Sequence, residues 1–243
     1  MKILFISLSL NALFLLLTIF LIAKKGGISY LKTKFLRSDQ NCDRSSLQAA
    51  NLVYYLQKVS QFQLLPISNF DIVFLGDSIT DECEWAEVLE NSQIKNRGIS
   101  GDTTMGILHR LEDIVTAQPA KIFIMVGINN LIHCQQSSTE ILADYQKIVT
   151  EICDRTPQTK IFIQSVLPIN RTKSGLNVSD RAIVQLNSDL QELATEYSLT
   201  YIDLYSHLSD EQHQLNECYT LDGVHLNGQA YSIWKQTIAK YVS

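Results

Sequence analysis

The chain has 243 residues, of which 46% are hydrophobic and 19% are charged, so it holds enough apolar material for one large core and its composition excludes extensive disorder. Its formal net charge is −5, but six of its 20 Lys and Arg residues lie within the first 37 positions, where there is no Asp or Glu. Residues 38–243 therefore carry 14 basic against 25 acidic side chains, and this acidic balance argues against nucleic acid as a partner, because phosphates attract a basic surface.

The N-terminal segment is apolar. Residues 3–23 contain no charged side chain, and as a helix they would extend about 30 Å, enough to cross a bilayer. We therefore predict that residues 1–25 form a single-pass transmembrane anchor, which would make the membrane a partner of this chain. The alternative is a cleaved signal segment, which would make the protein secreted or periplasmic, although the residues around Ala23 fit a cleavage site poorly.

The rest of the chain divides into a short linker and one domain. Residues 26–41 are basic and show no periodic pattern, so we predict a linker there. Residues 42–243 are predicted to form a single domain of ordinary size. The side of the membrane on which this domain lies stays open.

Apolar runs of strand length alternate with amphipathic patterns of helix length along residues 42–243. This alternation is typical of βαβ units and predicts a five-stranded parallel sheet with helices on both faces, a three-layer α/β/α sandwich. The predicted strands cover approximately residues 72–75, 94–99, 121–127, 160–167 and 199–204. The predicted helices cover approximately residues 45–64, 84–90, 103–116, 139–155 (with an N-cap threonine, Thr139), 179–197 and 228–241.

The five cysteines are scattered and form neither a C-x-x-C pair nor a Cys/His cluster with zinc-ligand spacing. We predict reduced, structural thiols and no metal site. A single disulfide with leftover thiols is the alternative.

The first predicted strand ends in Gly76-Asp77-Ser78, a tight polar turn. It leaves a serine hydroxyl at the carboxyl end of a central strand, which is the edge where open parallel sheets bind ligands. A serine nucleophile needs a base within hydrogen-bond reach, and the base needs a group that fixes its tautomer. Asp222 and His225 lie three residues apart in the loop after the fifth strand, so the chain offers both groups at the same edge.

An ester carbonyl under attack also needs hydrogen-bond donors for its developing negative charge. Gly101 follows the second predicted strand, and Asn129, with a side-chain amide, follows the third. The backbone N–H of Ser78 begins a helical turn, where the peptide dipoles favour negative charge. We predict that Ser78, Gly101 and Asn129 supply these donors.

Four sequence blocks, in order along residues 70–241, resemble those of the SGNH hydrolases, also called the GDSL esterase/lipase family. They are Gly76-Asp77-Ser78-Ile79, Ser100-Gly101-Asp102-Thr103, Gly127-Ile128-Asn129 and Asp222-Gly223-Val224-His225. The resemblance implies a flavodoxin-like sheet of order 2-1-3-4-5. It also implies a catalytic triad of Ser78, His225 and Asp222, and an oxyanion hole formed by the Ser78 amide, Gly101 and Asn129.

Two further details refine the resemblance. Trp85 and the run Asn96-Arg97-Gly98-Ile99 are similar to the branch that includes lysophospholipase-like and platelet-activating-factor acetylhydrolase-like members. Asn130 departs from the family pattern, in which an aspartate usually follows the oxyanion-hole asparagine.

The leading hypothesis is a serine esterase without cofactor or metal, which cleaves a small-molecule ester or lipid such as a lysophospholipid or a short-chain acyl ester. A carbohydrate O-acetylesterase is the alternative within enzymes. A membrane-tethered binding module with an inactive site is the alternative of another class. The sequence does not indicate an oligomeric state.

Overall fold

Five parallel strands form the centre of the structure, a computed structural model that describes residues 46–242, with side chains from Leu52 onward. The sheet order is β2-β1-β3-β4-β5, and every neighbouring pair is parallel. Helices cover both faces, which confirms the predicted α/β/α sandwich and the 2-1-3-4-5 order. The strands are β1 (Ile72–Gly76), β2 (Ile94–Gly98), β3 (Lys121–Met125), β4 (Lys160–Gln164) and β5 (Thr200–Ile202).

The predicted anchor and linker, residues 1–25 and 26–41, lie outside the described residues, so both stay predictions. Among the helices of residues 46–242, none is both long and apolar enough to cross a bilayer.

Helices fill the connections between strands and the two ends of the described chain. They are α1 (Ser46–Phe62), α2 (Ser78–Asp81), α3 (Trp85–Val88), α4 (Thr104–His109), α5 (Glu112–Ala117), α6 (Ile128–His133), α7 (Ser138–Arg155), α8 (Arg171–Ser174), α9 (Asp180–Glu196), α10 (Tyr205–Leu208) and α11 (Gly228–Val242). The short helices α6, α8 and α10 lie outside the ranges for which we predicted helices.

The helix predicted over residues 103–116 is wrong in one respect, because the chain forms two helices, α4 and α5, with a break at Arg110. The Arg110 side chain turns inward, and the residue as a whole is only 7% exposed. Its guanidinium donates to the carbonyl oxygens of Gly76 and Arg97 at 3.1 and 2.8 Å. The apolar spacing continues across the break, so periodicity gave no sign of it.

The N-cap assignment for α7 is also wrong. The helix begins at Ser138, and Ser137 caps it, accepting a hydrogen bond from the Glu140 N–H at 3.3 Å. The Glu140 carboxylate in turn accepts a hydrogen bond from the Ser137 N–H at 2.8 Å, which completes a capping box. Thr139 is therefore the second residue of the helix, two positions after the cap.

An aromatic row crosses the sheet and holds the central strands together. Phe74, Phe123 and Phe162 occupy the same register on β1, β3 and β4, with ring centroids 4.8 and 4.4 Å apart. Trp85 stacks on Phe74 at 4.5 Å and meets the edge of Trp234 at 4.7 Å. These rings cover one face of β1, whose residues Ile72 to Leu75 are all at most 3% exposed, so the strand that precedes Ser78 is fixed on both sides.

The cysteines differ from the prediction at one position. Cys83, Cys153 and Cys218 are free thiols, whereas Cys134 is disulfide-bonded. The expectation that all thiols are reduced is therefore wrong for Cys134, and the alternative of one disulfide is favoured.

The aromatic row predicts a large stability effect. Phe123→Ala should lower the free energy of unfolding by about 3–5 kcal/mol, because it removes the middle ring and leaves a cavity. The exposed Phe70 is the matched control, and Phe70→Ala should change the free energy of unfolding by no more than about 0.5 kcal/mol. Urea unfolding of both variants measures the difference, and equal effects would contradict the role given to the row.

Candidate active site

Ser78 lies where β1 gives way to α2. The strand ends at Gly76, Asp77 caps the helix by accepting a hydrogen bond from the Ile79 N–H at 3.1 Å, and Ser78 is the first helical residue. The Ser78 side chain is largely buried, with 7% of the residue exposed. The predicted turn therefore presents its hydroxyl at the carboxyl edge of the sheet.

A chain of hydrogen bonds joins Ser78, His225 and Asp222. The His225 Nε2 atom lies 3.0 Å from Ser78 Oγ, and its Nδ1 atom lies 2.6 Å from Asp222 Oδ2. Because a carboxylate can only accept, Nδ1 carries the proton and Nε2 is left as an acceptor facing the hydroxyl. The three side chains that the sequence singled out thus lie together in the order that proton transfer requires.

The loop that carries Asp222 and His225 is held by its own backbone. Asp222 Oδ1 accepts hydrogen bonds from the N–H groups of Val224 and His225 at 2.9 and 2.8 Å. Gly223 has a φ of +90°, and a Cβ there would come within 2.5 Å of the Asn170 carbonyl oxygen, so only glycine fits this turn. The geometry of the D-x-x-H segment is therefore local and rigid.

These hydrogen bonds keep Asp222 charged. Partial burial raises the pKa of its carboxyl, but the hydrogen bonds from the His225 ring and from the loop N–H groups outweigh that effect and lower the pKa to about 2. Asp222 is therefore a carboxylate throughout the neutral range and can stabilise a positively charged imidazole.

Three predicted donors, the N–H groups of Ser78 and Gly101 and the side-chain amide of Asn129, each keep a proton for which the described residues supply no acceptor. Gly101 has a φ of +79°, and within residues 46–242 neither its N–H nor that of Ser78 has an acceptor. Asn129 is 7% exposed, and its Nδ2 atom donates one proton to the Asp102 carbonyl at 2.9 Å, which leaves its second proton for a ligand. The predicted oxyanion-hole groups are thus available for hydrogen bonding.

A buried ion pair supports the loop that contains Gly101. The Arg110 guanidinium lies 2.8 Å from the Asp102 carboxylate, and both side chains are at most 4% exposed. The same guanidinium bonds the Gly76 carbonyl at 3.1 Å, so it joins the end of β1 to the loop after β2. We did not predict this link, although an arginine among apolar helix positions could have indicated it.

Glu82 is a second residue that the sequence reasoning missed. Its Oε1 atom lies 3.7 Å from His225 Nε2, and its N–H bonds the Ser78 carbonyl, one helical turn earlier, at 2.9 Å. Burial raises the pKa of Glu82, while the nearby His225 lowers it in part. The i, i+4 spacing from Ser78 is the signal that could have identified it.

Asn130, which replaces the expected aspartate, is fully satisfied. It accepts from the Thr104 N–H at 3.2 Å and donates to the hydroxyl of Thr104 at 2.9 Å and to the carbonyl oxygen of the Gln136 side chain at 2.6 Å. An ionised aspartate could not make the last two hydrogen bonds as a donor. The substitution therefore suits its surroundings and leaves Asn129 free to face the site.

Among residues 46–242, no three His, Cys, Asp or Glu side chains converge as metal ligands would. The expectation of a site without metal or cofactor stays a prediction.

Comparisons with known proteins agree on one family. The model of the GDSL-like lipase/acylhydrolase family matches residues 74–233. Human platelet-activating factor acetylhydrolase IB subunit alpha2 is 30% identical over 169 residues, which span 67% of this chain and 71% of that protein. A structure described as that of a platelet activating factor from Streptococcus pneumonia is 26% identical, with a TM-score of 0.74 over 81% of this chain and 96% of that chain. A GDSL-like lipase from Bacteroides thetaiotaomicron is 23% identical with a TM-score of 0.68, over 77% of this chain and 96% of that one, and it shares the fold.

The cap of α2 predicts a pH-dependent stability. Burial raises the pKa of Asp77 to about 7, whereas the pKa of an aspartate in an unfolded chain is about 3.9. Between those pH values the folded protein retains a proton that the unfolded chain has released, so the free energy of unfolding should fall as the pH rises. Asp77→Asn keeps the acceptor for Ile79 but cannot ionise, and it should raise the free energy of unfolding at pH 8 by about 2–4 kcal/mol, with little change at pH 4.

Urea unfolding across this pH range tests the Asp77 prediction. Asp154→Asn, at an exposed position, is the matched control. If Asp77→Asn and Asp154→Asn follow the wild-type pH profile equally closely, the buried carboxyl of Asp77 is not the source of the effect.

Proposed function

This chain belongs to the GDSL-like lipase/acylhydrolase family and is a carboxylic ester hydrolase, and from that premise we propose that it cleaves short-chain acyl esters through Ser78, His225 and Asp222. The observation that carries the proposal is the 3.0 Å contact between Ser78 Oγ and His225 Nε2, with Asp222 behind the imidazole.

In the first step, Ser78 Oγ attacks the carbonyl carbon of the ester while His225 Nε2 accepts the hydroxyl proton. The imidazole becomes positively charged, and the carboxylate of Asp222, whose pKa is about 2, stabilises that charge. Because Nδ1 holds its proton against Asp222, Nε2 is the only ring atom free to act as the base.

The negative charge that forms on the carbonyl oxygen is stabilised by three donors. These are the N–H groups of Ser78 and Gly101 and the second Nδ2 proton of Asn129. Each is fixed before the reaction, the last of them by the hydrogen bond from Asn129 to Asp102, so no reorganisation is needed as the charge develops.

The tetrahedral intermediate then collapses, and protonated His225 donates its Nε2 proton to the leaving alcohol. Water next attacks the acyl-enzyme with neutral His225 again as the base, and the acid is released as Ser78 regains its proton. Every proton in this cycle passes through a single nitrogen atom.

For the substrate we propose an acetyl or similarly short acyl ester of a lipid-like alcohol. The human relative is named as an acetylhydrolase, and it is 30% identical to this chain. An apolar side chain beside the site supports a lipid-like alcohol, because Leu221, next to Asp222, is 88% exposed. An acetylated carbohydrate would be a different alcohol on the same acyl group, and the assay below separates the two.

The nucleophile assignment predicts a large loss of turnover. Ser78→Ala should lower kcat by about 10³-fold or more, because the attacking hydroxyl is gone. The same variant should lose labelling by a fluorophosphonate probe. Ser179→Ala is the matched control, since the Ser179 hydroxyl is exposed and caps no N–H group. Undiminished turnover in Ser78→Ala would rule out the proposed mechanism.

The substrate proposal predicts a preference by acyl length. With aryl esters of increasing acyl chain, kcat/KM for the acetyl ester should exceed that for the dodecanoyl ester by about tenfold or more. An acetylated lipid and an acetylated xylan oligomer, compared at equal acetyl concentration, should favour the lipid. A higher rate on the dodecanoyl ester would refute the short-chain proposal, and a higher rate on the xylan would refute the lipid-like alcohol.

A further inference from the structure

The carboxylate of Asp81 joins three elements that meet behind Ser78. Asp81 is the last residue of α2, the helix that begins at Ser78, and its side chain is only 6% exposed. From α1 it accepts hydrogen bonds from the Tyr54 hydroxyl at 2.6 Å and from Lys58 Nζ at 2.7 Å. From the loop after β2 it accepts hydrogen bonds from the Ser100 N–H at 3.1 Å and from the Ser100 hydroxyl at 3.2 Å.

Ser100 directly precedes Gly101, whose N–H is one of the proposed oxyanion donors. The loop is anchored before Ser100, where the Ile99 N–H bonds the Gly76 carbonyl at 3.1 Å, and after it, where Asp102 bonds Arg110. Between these anchors, the two hydrogen bonds to Asp81 are those that restrain Ser100. Because the peptide units of Ser100 and Gly101 are adjacent, a shift of one moves the other.

We propose that Asp81, held by Tyr54 and Lys58 of α1, is a positioning residue that aims the Gly101 N–H at the oxyanion. This inference rests on the proposed function. The family match begins at residue 74, whereas α1 ends at Phe62. The proposed positioning contacts therefore include a helix that the family match does not cover.

The hydrogen bonds of Asp81 do more than dock α1 on the domain. Docking has contacts of its own, since the Tyr55 hydroxyl bonds the Gly106 carbonyl at 2.8 Å and the Arg97 guanidinium lies over the Phe62 ring at 4.8 Å. Neither contact involves the loop residue Ser100. Asp81 differs because one of its carboxylate oxygens, Oδ2, is shared between Tyr54 and Ser100.

Tyr54 and Lys58 supply the Asp81 carboxylate with a hydrogen-bond donor and a positive charge. Burial, together with the hydrogen bond to Asp81, raises the pKa of Tyr54 to about 12, so the phenol remains a donor at neutral pH. Lys58 supplies the positive charge that a nearly buried carboxylate requires. The Tyr54 hydroxyl therefore stays a donor to Asp81 at neutral pH.

The test compares Asp81→Asn and Tyr54→Phe with wild type on an aryl acetate. Displacing an oxyanion donor weakens transition-state binding but not ground-state binding, so Asp81→Asn should lower kcat by about tenfold while KM changes by less than about twofold. Phenylboronic acid forms a tetrahedral adduct with a nucleophilic serine, here Ser78, and its inhibition constant should rise by a similar factor. Tyr54→Phe removes one hydroxyl from a partly exposed ring and should lower kcat by about threefold.

Tyr55→Phe is the matched control, because it removes a hydroxyl from the neighbouring residue of α1 that does not contact Asp81. It should leave kcat and boronate affinity unchanged. Unchanged kcat in Asp81→Asn, an equal loss in Tyr55→Phe, or a loss of kcat without weaker boronate binding would overturn the proposal. If Asp81→Asn does not fold, Tyr54→Phe against Tyr55→Phe decides. Full activity in Ser78→Ala would instead refute the proposed function, so the two failures are distinct.

Discussion

The register of three parallel strands is the constraint on which the candidate site depends. Gly76 on β1 lies opposite Gly98 on β2 and Met125 on β3, so all three strands end at one level of the sheet. The turn after each strand then carries a different polar group at the same edge of the sheet: the hydroxyl of Ser78, the backbone amide of Gly101 and the side-chain amide of Asn129. A Cβ at Gly98 would collide with the backbone of Asp81, so glycine is required where α2 crosses β2.

The polar groups of the candidate site differ in burial: the ion pair of Arg110 and Asp102 is buried, whereas His225 and Asp222 are more exposed. Arg110 and Asp102 are buried, and a buried charge is tolerated only when it is paired and fully hydrogen-bonded. The guanidinium meets that condition through Asp102 and two backbone carbonyls. The side chains of His225 and Asp222, by contrast, are 37% and 54% exposed. The loop that contains Gly101 is thus supported by buried groups, whereas His225 and Asp222 lie closer to solvent.

The strands, and the position of the candidate site residues at the ends of those strands, could be predicted because their signals are local. Unbroken apolar runs mark β1 and β3, and Ser78, Gly101 and Asn129 each follow such a run or a weaker one. The break at Arg110 and the contacts of Asp81 could not be predicted in this way. Tyr54 and Asp81 are 27 residues apart, and Arg110 and Gly76 are 34 residues apart, so these contacts exist only once the fold brings distant segments together.

The two tryptophans of this chain make the turn after β1 optically observable. Trp85 and Trp234 are at most 1% exposed and lie edge to face at 4.7 Å, close enough for their excited states to couple. The Trp85 indole also donates to the Thr80 carbonyl at 2.8 Å, two residues beyond Ser78. The near-ultraviolet circular dichroism spectrum of the unlabelled protein therefore reports on the segment that contains Ser78, and a ligand that shifts this segment would alter that spectrum.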